Sequence, residues 1–313
     1  MNDNLLISIV VITYNSEKYI LQTLESIKSQ NYKLLEVIVS DDGSNDLTVQ
    51  LCKEWFSVNE KNFVRTEILY GFKNSGIPAN CNRGVISAKG EWVKIIAGDD
   101  LLHEECLFSL FEAIASNPSQ DLFAGRFIPF YDLSGTRKLQ KMLPNDSQLF
   151  FFDLTASKQF QYLLRDSFNF APTVFIKRSV FSRFGLFEEK YPYLEDLPYW
   201  LRLTSSGLRF ALINKALVYY RTNHSSMVFS TETFYNKKFM DCLFAFKKDE
   251  VYKHVPFRNV IFYQGELMEY LKYLVILKWL RNKKSKLTIL VNTLFNVLSF
   301  KKLLRIARIR GYK

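Results

Sequence analysis

Apolar runs alternate with helical patterns along the first 100 residues of the chain. The apolar runs are continuous and rich in Ile and Val, as expected of strands buried on both faces. They lie at Leu5–Tyr14, Leu34–Ser40, Phe63–Leu69 and Glu91–Ala97. Between them, apolar residues recur every three or four positions, which predicts helices over residues 17–30, 46–56 and 78–88. This alternation predicts an α/β fold with a mostly parallel, doubly wound sheet.

The second half of the chain has a less regular pattern. It predicts a helix over about residues 103–117, a strand over 121–133, and a strand followed by a short helix over 171–181. A helix within residues 191–207 has Glu195 and Asp196 in its first turn, and residues 209–226 suggest two short strands and a turn. From Ser230 onward the pattern is helical almost to the end. We therefore expect two domains, residues 1–229 and 230–313.

Polar side chains follow three of the predicted parallel strands at the point where each strand ends. Tyr14 follows the first strand, Asp41 and Asp42 follow the second, and Asp99 and Asp100 follow the fourth. On doubly wound sheets, ligands bind outside the carboxyl ends of the strands. The sequence therefore predicts that these residues meet at one rim of the sheet and form a ligand site.

The segment GEWVKIIAGDD places two neighbouring carboxylates, Asp99 and Asp100, at the end of an apolar strand. Adjacent carboxylates repel, and the nearest basic residue, Lys94, lies upstream within the strand. A divalent cation would compensate them, because Mg²⁺ and Mn²⁺ prefer carboxylate oxygens. The alternative is that Asp99 is a helix N-cap and Asp100 a first-turn residue favoured by the helix dipole. The pair alone does not decide between these interpretations.

The other polar candidates have similar alternatives. Asp42 either belongs to a turn or accepts hydrogen bonds from a nucleotide, on whose base Tyr14 could stack. Asp196, next to Glu195, either acts as a general base for an attacking hydroxyl or interacts favourably with a helix dipole. His224 is either a metal or phosphate ligand or a loop histidine.

The net charge of +11 is concentrated at the C-terminal end. Residues 271–313 contain 12 Lys or Arg and no Asp or Glu, whereas the remaining residues carry a net charge of −1. Basic and apolar residues alternate there, which favours contact with an anionic membrane surface over nucleic acid, for which no recognition motif is present. The alternative is a solvated face on helices that pack against the first domain.

Several classes of protein are not supported by the sequence. No stretch approaches the roughly 18 uncharged apolar residues of a membrane-spanning helix, and the first residues do not resemble a signal peptide. The four cysteines lack metal-ligand spacing and suggest buried thiols in a cytosolic protein.

Five segments, in this order, resemble the inverting family-2 glycosyltransferases of the GT-A fold. They are SIVVITYN, LLEVIVSDDGSND, NSGIPANCNRGVISAKGEWVKIIAGDDLL, EDLPYWLRLTSSG and YRTNHSS, and they fall within about residues 6–226. The resemblance implies a GT-A domain over residues 1–229. Its nucleotide-binding half covers about residues 1–117 and its acceptor half about 118–229.

The resemblance also implies roles for the donor-binding residues. Asp42 matches the carboxylate that binds the nucleotide base, and Tyr14 matches the residue that packs against the base. Asp99 and Asp100 match the family's DXD-type pair, with Asp99 near the ribose and Asp100 on the metal, Mn²⁺ or Mg²⁺. Ala97 stands where many relatives have a further Asp, so we expect the metal to depend on Asp100 and the substrate diphosphate.

The remaining roles concern catalysis and the diphosphate. Asp196 matches the family's catalytic base, with Glu195 as its neighbour. Arg221 and His224 match an R-x-x-H element near the diphosphate, where His224 could join the metal site.

The activity implied by the resemblance is transfer of a hexose with inversion. We expect a donor such as UDP-Glc or UDP-Gal and a GlcNAc or GalNAc acceptor on polyprenyl diphosphate, in O-antigen or capsular polysaccharide synthesis. Such an enzyme would work at the inner face of the cell membrane, with residues 271–313 on the lipid. The alternatives are an inactive nucleotide-sugar-binding module and a peripheral membrane scaffold.

Overall fold

The computed structural model describes residues 5–133, 136–222 and 233–302. The chain divides into two compact units, residues 1–222 and residues 223–313. The predicted domain boundary near Ser230 and the candidate ligand His224 lie outside the described residues.

Four parallel strands begin the sheet of the first unit. They are β1 (Ile7–Thr13), β2 (Leu35–Asp41), β3 (Arg65–Tyr70) and β4 (Trp92–Ala97), in the order β3-β2-β1-β4. Helices α1 (Ile20–Lys28), α2 (Thr48–Asn59) and α3 (Ile77–Ser87) connect them. Every one of these strands and helices was predicted, and their ends differ from the prediction by a few residues.

The rest of the first unit extends the same sheet with mixed pairing. Its strands are β5 (Leu101–Leu102), β6 (Leu122–Leu133), β7 (Thr136–Leu139), β8 (Phe175–Lys177) and β9 (Ala211–Arg221). The order continues β4-β8-β6-β9-β5, with β7 on β6. Only β6 and β9 pair in parallel among these strands. The helices are α4 (Cys106–Ser116), α5 (Ala156–Arg165), α6 (Arg178–Phe184) and α7 (Asp196–Ser205). The α/β class is confirmed, with a sheet that is parallel at first and mixed beyond.

One prediction in this half is wrong: where two short strands are expected within residues 209–226, the chain forms the single strand β9 over Ala211–Arg221. Asn214 and Lys215 lie within β9 and form no turn, although both residue types are uncommon in strands. Instead, the register between β9 and β6 shifts near Gly125 and Arg126, as at a β-bulge. A Cβ on Gly125 would come within 2.3 Å of Leu217, so glycine permits the close approach of the two strands. Helix α5 and the short strands β5 and β7 were not predicted.

The core of the first unit explains why the sequence pattern was informative. All of β2 and nearly all of β1 are buried, so their apolar runs are continuous rather than alternating. Helices α1 and α2 contribute Ile20, Leu24 and Trp55 to the same cluster. This core fixes the strand ends, and therefore the rim on which the polar candidates lie.

The second unit is helical over its described part. It contains α8 (Lys237–Phe246), α9 (Val260–Leu274) and α10 (Lys286–Leu298). Its buried apolar residues include Phe246, Phe262 and Ile276. Within the described residues, no helix is both long enough and apolar enough to cross a membrane.

Candidate functional site

The loops that follow β1 and β2 are tied together at the carboxyl ends of their strands. Asn15 has a left-handed backbone with φ of 51°, and its amide N–H donates to the Ser44 hydroxyl over 2.8 Å. The Asn15 side-chain oxygen in turn accepts from the Asn45 N–H over 2.9 Å. Tyr14, which directly precedes Asn15, is 46% exposed. An aromatic ring is thus held at the rim with its surface open to a ligand.

The two acids after β2 have different surroundings. Asp41 is buried and accepts from the Thr13 hydroxyl over 2.8 Å and from the Gly43 and Ser44 amides over 3.1 and 2.8 Å. These contacts form a tight turn in which Gly43 has φ of 79°, a conformation that favours glycine. Asp41 is therefore accounted for by the turn.

Asp42 is buried at the rim and is bonded to the loop that precedes α3. Its carboxylate accepts from the Ser75 amide and the Gly76 amide, each over 2.9 Å, and from the Ser75 hydroxyl over 2.5 Å. Arg83 on α3 adds an ion pair at 3.2 Å. A carboxylate offers about four acceptor positions, so the protein already uses most of them. A nucleotide base would share or replace one of these partners.

The Asp99–Asp100 pair lies in a turn between β4 and β5. Helix α4 begins only at Cys106, so the alternative in which these acids cap a helix is wrong. Asp100 is 2% exposed, and one oxygen of its carboxylate accepts from the Arg221 amide over 2.8 Å. Burial raises the pKa of both acids, and the charge of Asp99 further raises the pKa of Asp100. The protein itself thus compensates the negative charges of Asp99 and Asp100 only in part.

Arg221, at the end of β9, holds this turn from within the protein. Its Nε donates to the Asp99 carbonyl over 2.7 Å, and its Nη2 donates to Gln22 over 2.8 Å. Its Nη1 forms an ion pair with Asp132. The guanidinium also lies 4.2 Å from the ring centre of Tyr19. With its side chain completely buried, Arg221 positions the acidic turn, and its predicted contact with the diphosphate stays a prediction.

Lys94 is a second buried cation near the acidic turn. Its Nζ donates to the carbonyls of Ile95, over 2.9 Å, and Pro172. Burial lowers the pKa of Lys94 to about 8, although the charge of Asp100 acts in the opposite direction. The sequence suggested that Lys94 was the only nearby basic residue. The β5–β9 pairing adds Arg221, which is 121 positions away from Asp100.

The Glu195–Asp196 pair is placed beside α3 by contacts upstream of α7. The Ile77 amide donates to the Pro192 carbonyl over 3.0 Å, and a Cβ on Gly76 would meet Pro192 at 2.8 Å. Asn82 exchanges hydrogen bonds with the backbone of Phe187 over 3.0 and 2.9 Å. The loop before α7 is therefore fixed to α3, which begins directly after Ser75 and Gly76, the two residues that donate to Asp42.

The Glu195 and Asp196 carboxyl groups are both held toward their neutral forms. Burial raises the pKa of Glu195 to about 8, and the charge of Asp196 adds to this effect. Burial also raises the pKa of Asp196, although the Leu197 amide donates to its carboxylate over 2.6 Å. Two neighbouring carboxyl groups with raised pKa values are typical of a functional site.

Two neutral side chains show that the acidic groups converge. The pKa of Tyr220 is raised by burial and then by the charges of both acidic pairs, Asp99–Asp100 and Glu195–Asp196. The pKa of the Cys81 thiol is likewise raised by burial and by the charges of Glu195, Asp196 and Asp42. Electrostatic effects fall with distance, so the Glu195–Asp196 pair lies at a space shared with Asp99–Asp100 on the Tyr220 side and with Asp42 on the Cys81 side.

The residues at this space fit a weakly held divalent cation. Among the described residues, no group of three or more His, Cys, Asp or Glu side chains could hold a metal. Asp100 nevertheless presents a buried carboxylate with one oxygen used by Arg221 and with the acid Asp99 as its neighbour. Mg²⁺ and Mn²⁺ accept one or two carboxylates when substrate phosphates complete the coordination. His224, the other predicted ligand, lies outside the described residues.

Arg83 is a residue of the site that sequence reasoning missed. Its Nη1 donates to the Asp41 carbonyl and to the Asn80 side chain, each over 2.9 Å, and its Nη2 pairs with Asp42. The helical pattern of α3 gave no reason to select it, because Asp41 and Asp42 lie about 40 positions earlier in the chain.

Comparisons with known proteins show the family of the chain. Residues 8–185, more than half of the chain, match the domain described as glycosyl transferase family 2. The glycosyltransferase GlyG of Streptococcus pneumoniae serotype 4 is 29% identical over 130 residues, which are 42% of this chain and 42% of GlyG. The minor teichoic acid biosynthesis protein GgaA of Bacillus subtilis is 22% identical over 74% of this chain and 50% of its own length. The chain thus spans half or less of these two relatives.

A solved structure shares the fold. Staphylococcus aureus TarS, residues 1–349 in complex with UDP-GlcNAc, superposes with a TM-score of 0.57. It is 19% identical, and the match covers 94% of this chain and 81% of that one.

Proposed function

The chain belongs to glycosyl transferase family 2, and from that membership we propose that it transfers a hexose from a nucleotide sugar to a sugar hydroxyl. The observation that carries the proposal is the position of Glu195–Asp196, which affects Tyr220 together with Asp99–Asp100 and Cys81 together with Asp42. The Ile77–Pro192 hydrogen bond holds the loop before Glu195 next to the residues that bind Asp42. A transferase needs donor-binding groups and a base at one place, and these acids supply both.

The donor occupies the rim formed by the first half of the sheet. Tyr14 packs against the nucleotide base, Asp42 accepts a hydrogen bond from the base, and Asp99 lies near the ribose. We propose UDP-Glc or UDP-Gal as the donor. The shared fold of TarS, which was solved with UDP-GlcNAc, supports a uridine nucleotide.

Asp100 would hold Mn²⁺ or Mg²⁺ when the donor diphosphate is bound, and His224 is a further candidate ligand. Such a cation, when bound, neutralises charge on the leaving diphosphate. Arg221 fixes the Asp99–Asp100 turn, and the charges of Arg221 and Lys94 partly offset that of Asp100.

Asp196 is the general base. Its carboxylate removes the acceptor's hydroxyl proton while that oxygen forms a bond to the anomeric carbon. The bond between the anomeric carbon and the diphosphate oxygen breaks, and its electron pair leaves with the diphosphate. Attack from the face opposite the diphosphate inverts the anomeric configuration. A raised pKa makes Asp196 a stronger base than a solvated carboxylate, and Glu195 keeps its proton at neutral pH.

The acceptor we propose is GlcNAc or GalNAc carried on polyprenyl diphosphate, in O-antigen or capsular polysaccharide synthesis. Similarity to GgaA, named for teichoic acid biosynthesis, supports a cell-surface polymer. The acid-free, basic segment 271–313 supports work at the inner face of the cell membrane.

The direct test is a screen of sugar nucleotides against lipid-diphosphate-linked GlcNAc and GalNAc, with Mn²⁺ or Mg²⁺ and with a chelator. We expect transfer from one UDP-hexose, dependence on the cation, and a product whose anomeric configuration by NMR is opposite to that of the donor. A product with the donor's configuration would refute the inverting mechanism. Donor binding without transfer to any acceptor would favour the inactive binding module.

A further inference from the structure

Helix α10 places two of its polar residues, Thr288 and Asn296, toward the interior of the second unit. Thr288 is completely buried, and its hydroxyl donates to the Lys283 carbonyl over 2.7 Å. Asn296 accepts from Lys272 over 3.1 Å and from Lys302 over 2.5 Å. Asn296 therefore links α10 to Lys272 of α9.

The aliphatic residues of α10 face outward instead. Five of them recur at intervals that place them on one side of the helix: Leu287, Leu290, Leu294, Val297 and Leu298. Each is between 49% and 64% exposed. Single exposed apolar residues are ordinary, whereas a continuous stripe of this kind marks a surface that something else covers. We name these five residues the α10 stripe.

The charges at the start of α10 indicate what covers the stripe. Lys283 and Lys286 are exposed at its N-terminal end, where the helix dipole disfavours cations. They therefore do not stabilise the helix, and an anionic surface would benefit from them. Lys301 and Lys302, at the other end, are already ion-paired with Glu266 and Glu269 of α9. Among the residues that the structure describes, Lys283 and Lys286 therefore place exposed positive charge at the N-terminal end of the stripe.

A second copy of the chain fits these features less well than a lipid surface. The buried centres of protein–protein interfaces are depleted in lysine, whereas two lysines, Lys283 and Lys286, lie next to the α10 stripe. A helix that lies in a membrane interface instead combines aliphatic residues with lysines whose charges remain at the headgroups.

We propose that the α10 stripe, with Lys283 and Lys286, docks on the surface of an anionic lipid bilayer. The α10 stripe is the surface by which the proposed enzyme would reach a lipid-linked acceptor. Its docking on lipid does not depend on the roles of the catalytic acids.

The chain contains its own reporter for the test. Of its four tryptophans, Trp55, Trp92 and Trp200 are buried, whereas Trp279, close to α10 in sequence, is 82% exposed. Vesicles of phosphatidylcholine alone and vesicles that also contain phosphatidylglycerol are mixed with the full chain. We expect co-sedimentation and a blue shift of tryptophan emission only with phosphatidylglycerol, both weakened by added salt. Trp279→Phe should remove the blue shift and retain the sedimentation.

Two variants test the residues of the surface. The double variant Leu290→Ser with Leu294→Ser should weaken vesicle binding about tenfold or more, since each leucine otherwise enters the apolar part of the interface. The double variant Lys283→Ala with Lys286→Ala should lose the preference for phosphatidylglycerol. The matched control is Val58→Ser, at a 79% exposed apolar position of α2, which should bind as the unchanged protein does.

Two results would overturn the proposal. One is unchanged vesicle binding by the leucine variant. The other is a dimer in light scattering that the leucine variant converts to a monomer while vesicle binding is kept, which would make the stripe a contact between two copies. Transfer to a water-soluble acceptor should be equal in all variants, so a failure of the membrane proposal is distinguishable from a failure of the proposed activity.

Discussion

Glu195 provides a test of the acidic site that needs no substrate. Its carboxyl group lies beside Asp196 at the start of α7, and burial raises its pKa to about 8 from an ordinary value of 4.5. Its own backbone amide acts in the opposite direction, but burial and the charge of Asp196 outweigh this contact. Replacement of Glu195 by Gln keeps the shape of the side chain and removes its ability to ionise.

The sign of the effect follows from linkage between proton binding and folding. The folded protein holds the Glu195 proton more tightly than the unfolded chain does, so stability decreases as the pH rises from about 4.5 to about 8. At about 1.36 kcal/mol for each pH unit, the loss reaches at most about 5 kcal/mol above pH 8. The neutral amide introduced by Glu195→Gln carries no such penalty.

The free energy of unfolding is measured with urea at pH 5 and pH 9 for the unchanged protein, for Glu195→Gln, and for a control, Glu60→Gln, at an exposed position. We expect Glu195→Gln to lie within about 1 kcal/mol of the unchanged protein at pH 5 and to be more stable by several kcal/mol at pH 9. The control should differ little at either pH. Equal stability of Glu195→Gln and the unchanged protein at pH 9 would refute the claim that this acid is held neutral.

Three further substitutions test the donor side of the site. Arg221→Lys cannot reproduce the forked contacts with Asp99 and Gln22, so we expect the free energy of unfolding to fall by about 2–4 kcal/mol and the KM for the donor to rise. An unchanged KM would show that the turn does not need this support. Asp42→Asn directs an amide NH₂ at the backbone N–H groups of Ser75 and Gly76, so the KM for the sugar nucleotide should rise about tenfold or more. An unaltered KM would exclude Asp42 from binding the sugar nucleotide. Asp100→Asn should weaken donor binding in the presence of Mn²⁺ and leave metal-free binding similar, and equal binding with and without metal in the unchanged protein would contradict a metal role.

The features that sequence alone predicted are those determined by local patterns. The strands β1 to β4 were recognisable because burial on both faces requires continuous apolar runs. The rim followed from topology, since parallel strands bring their carboxyl ends to one edge. Asp42 and Asp99–Asp100 could therefore be grouped before the structure was known, although they lie in separate loops.

The features that sequence did not predict depend on contacts between distant parts of the chain. Arg221 reaches the Asp99–Asp100 turn only because β9 pairs with β5, a strand of two residues that has no pattern of its own. Arg83 likewise gains its role from the approach of α3 to the Asp42 turn. The single strand β9 contains turn-forming residues, and only its irregular pairing with β6 explains why the chain continues through them.

The central claim is that Asp196 is the base at a site where the donor is bound by other residues. The most direct measurement compares Asp196→Asn with the unchanged protein for donor affinity, by calorimetry, and for the rate of transfer. We predict that donor affinity changes by less than about threefold while the rate falls by about 10²–10⁴, the usual contribution of a general base. Transfer at the unchanged rate would contradict the mechanism.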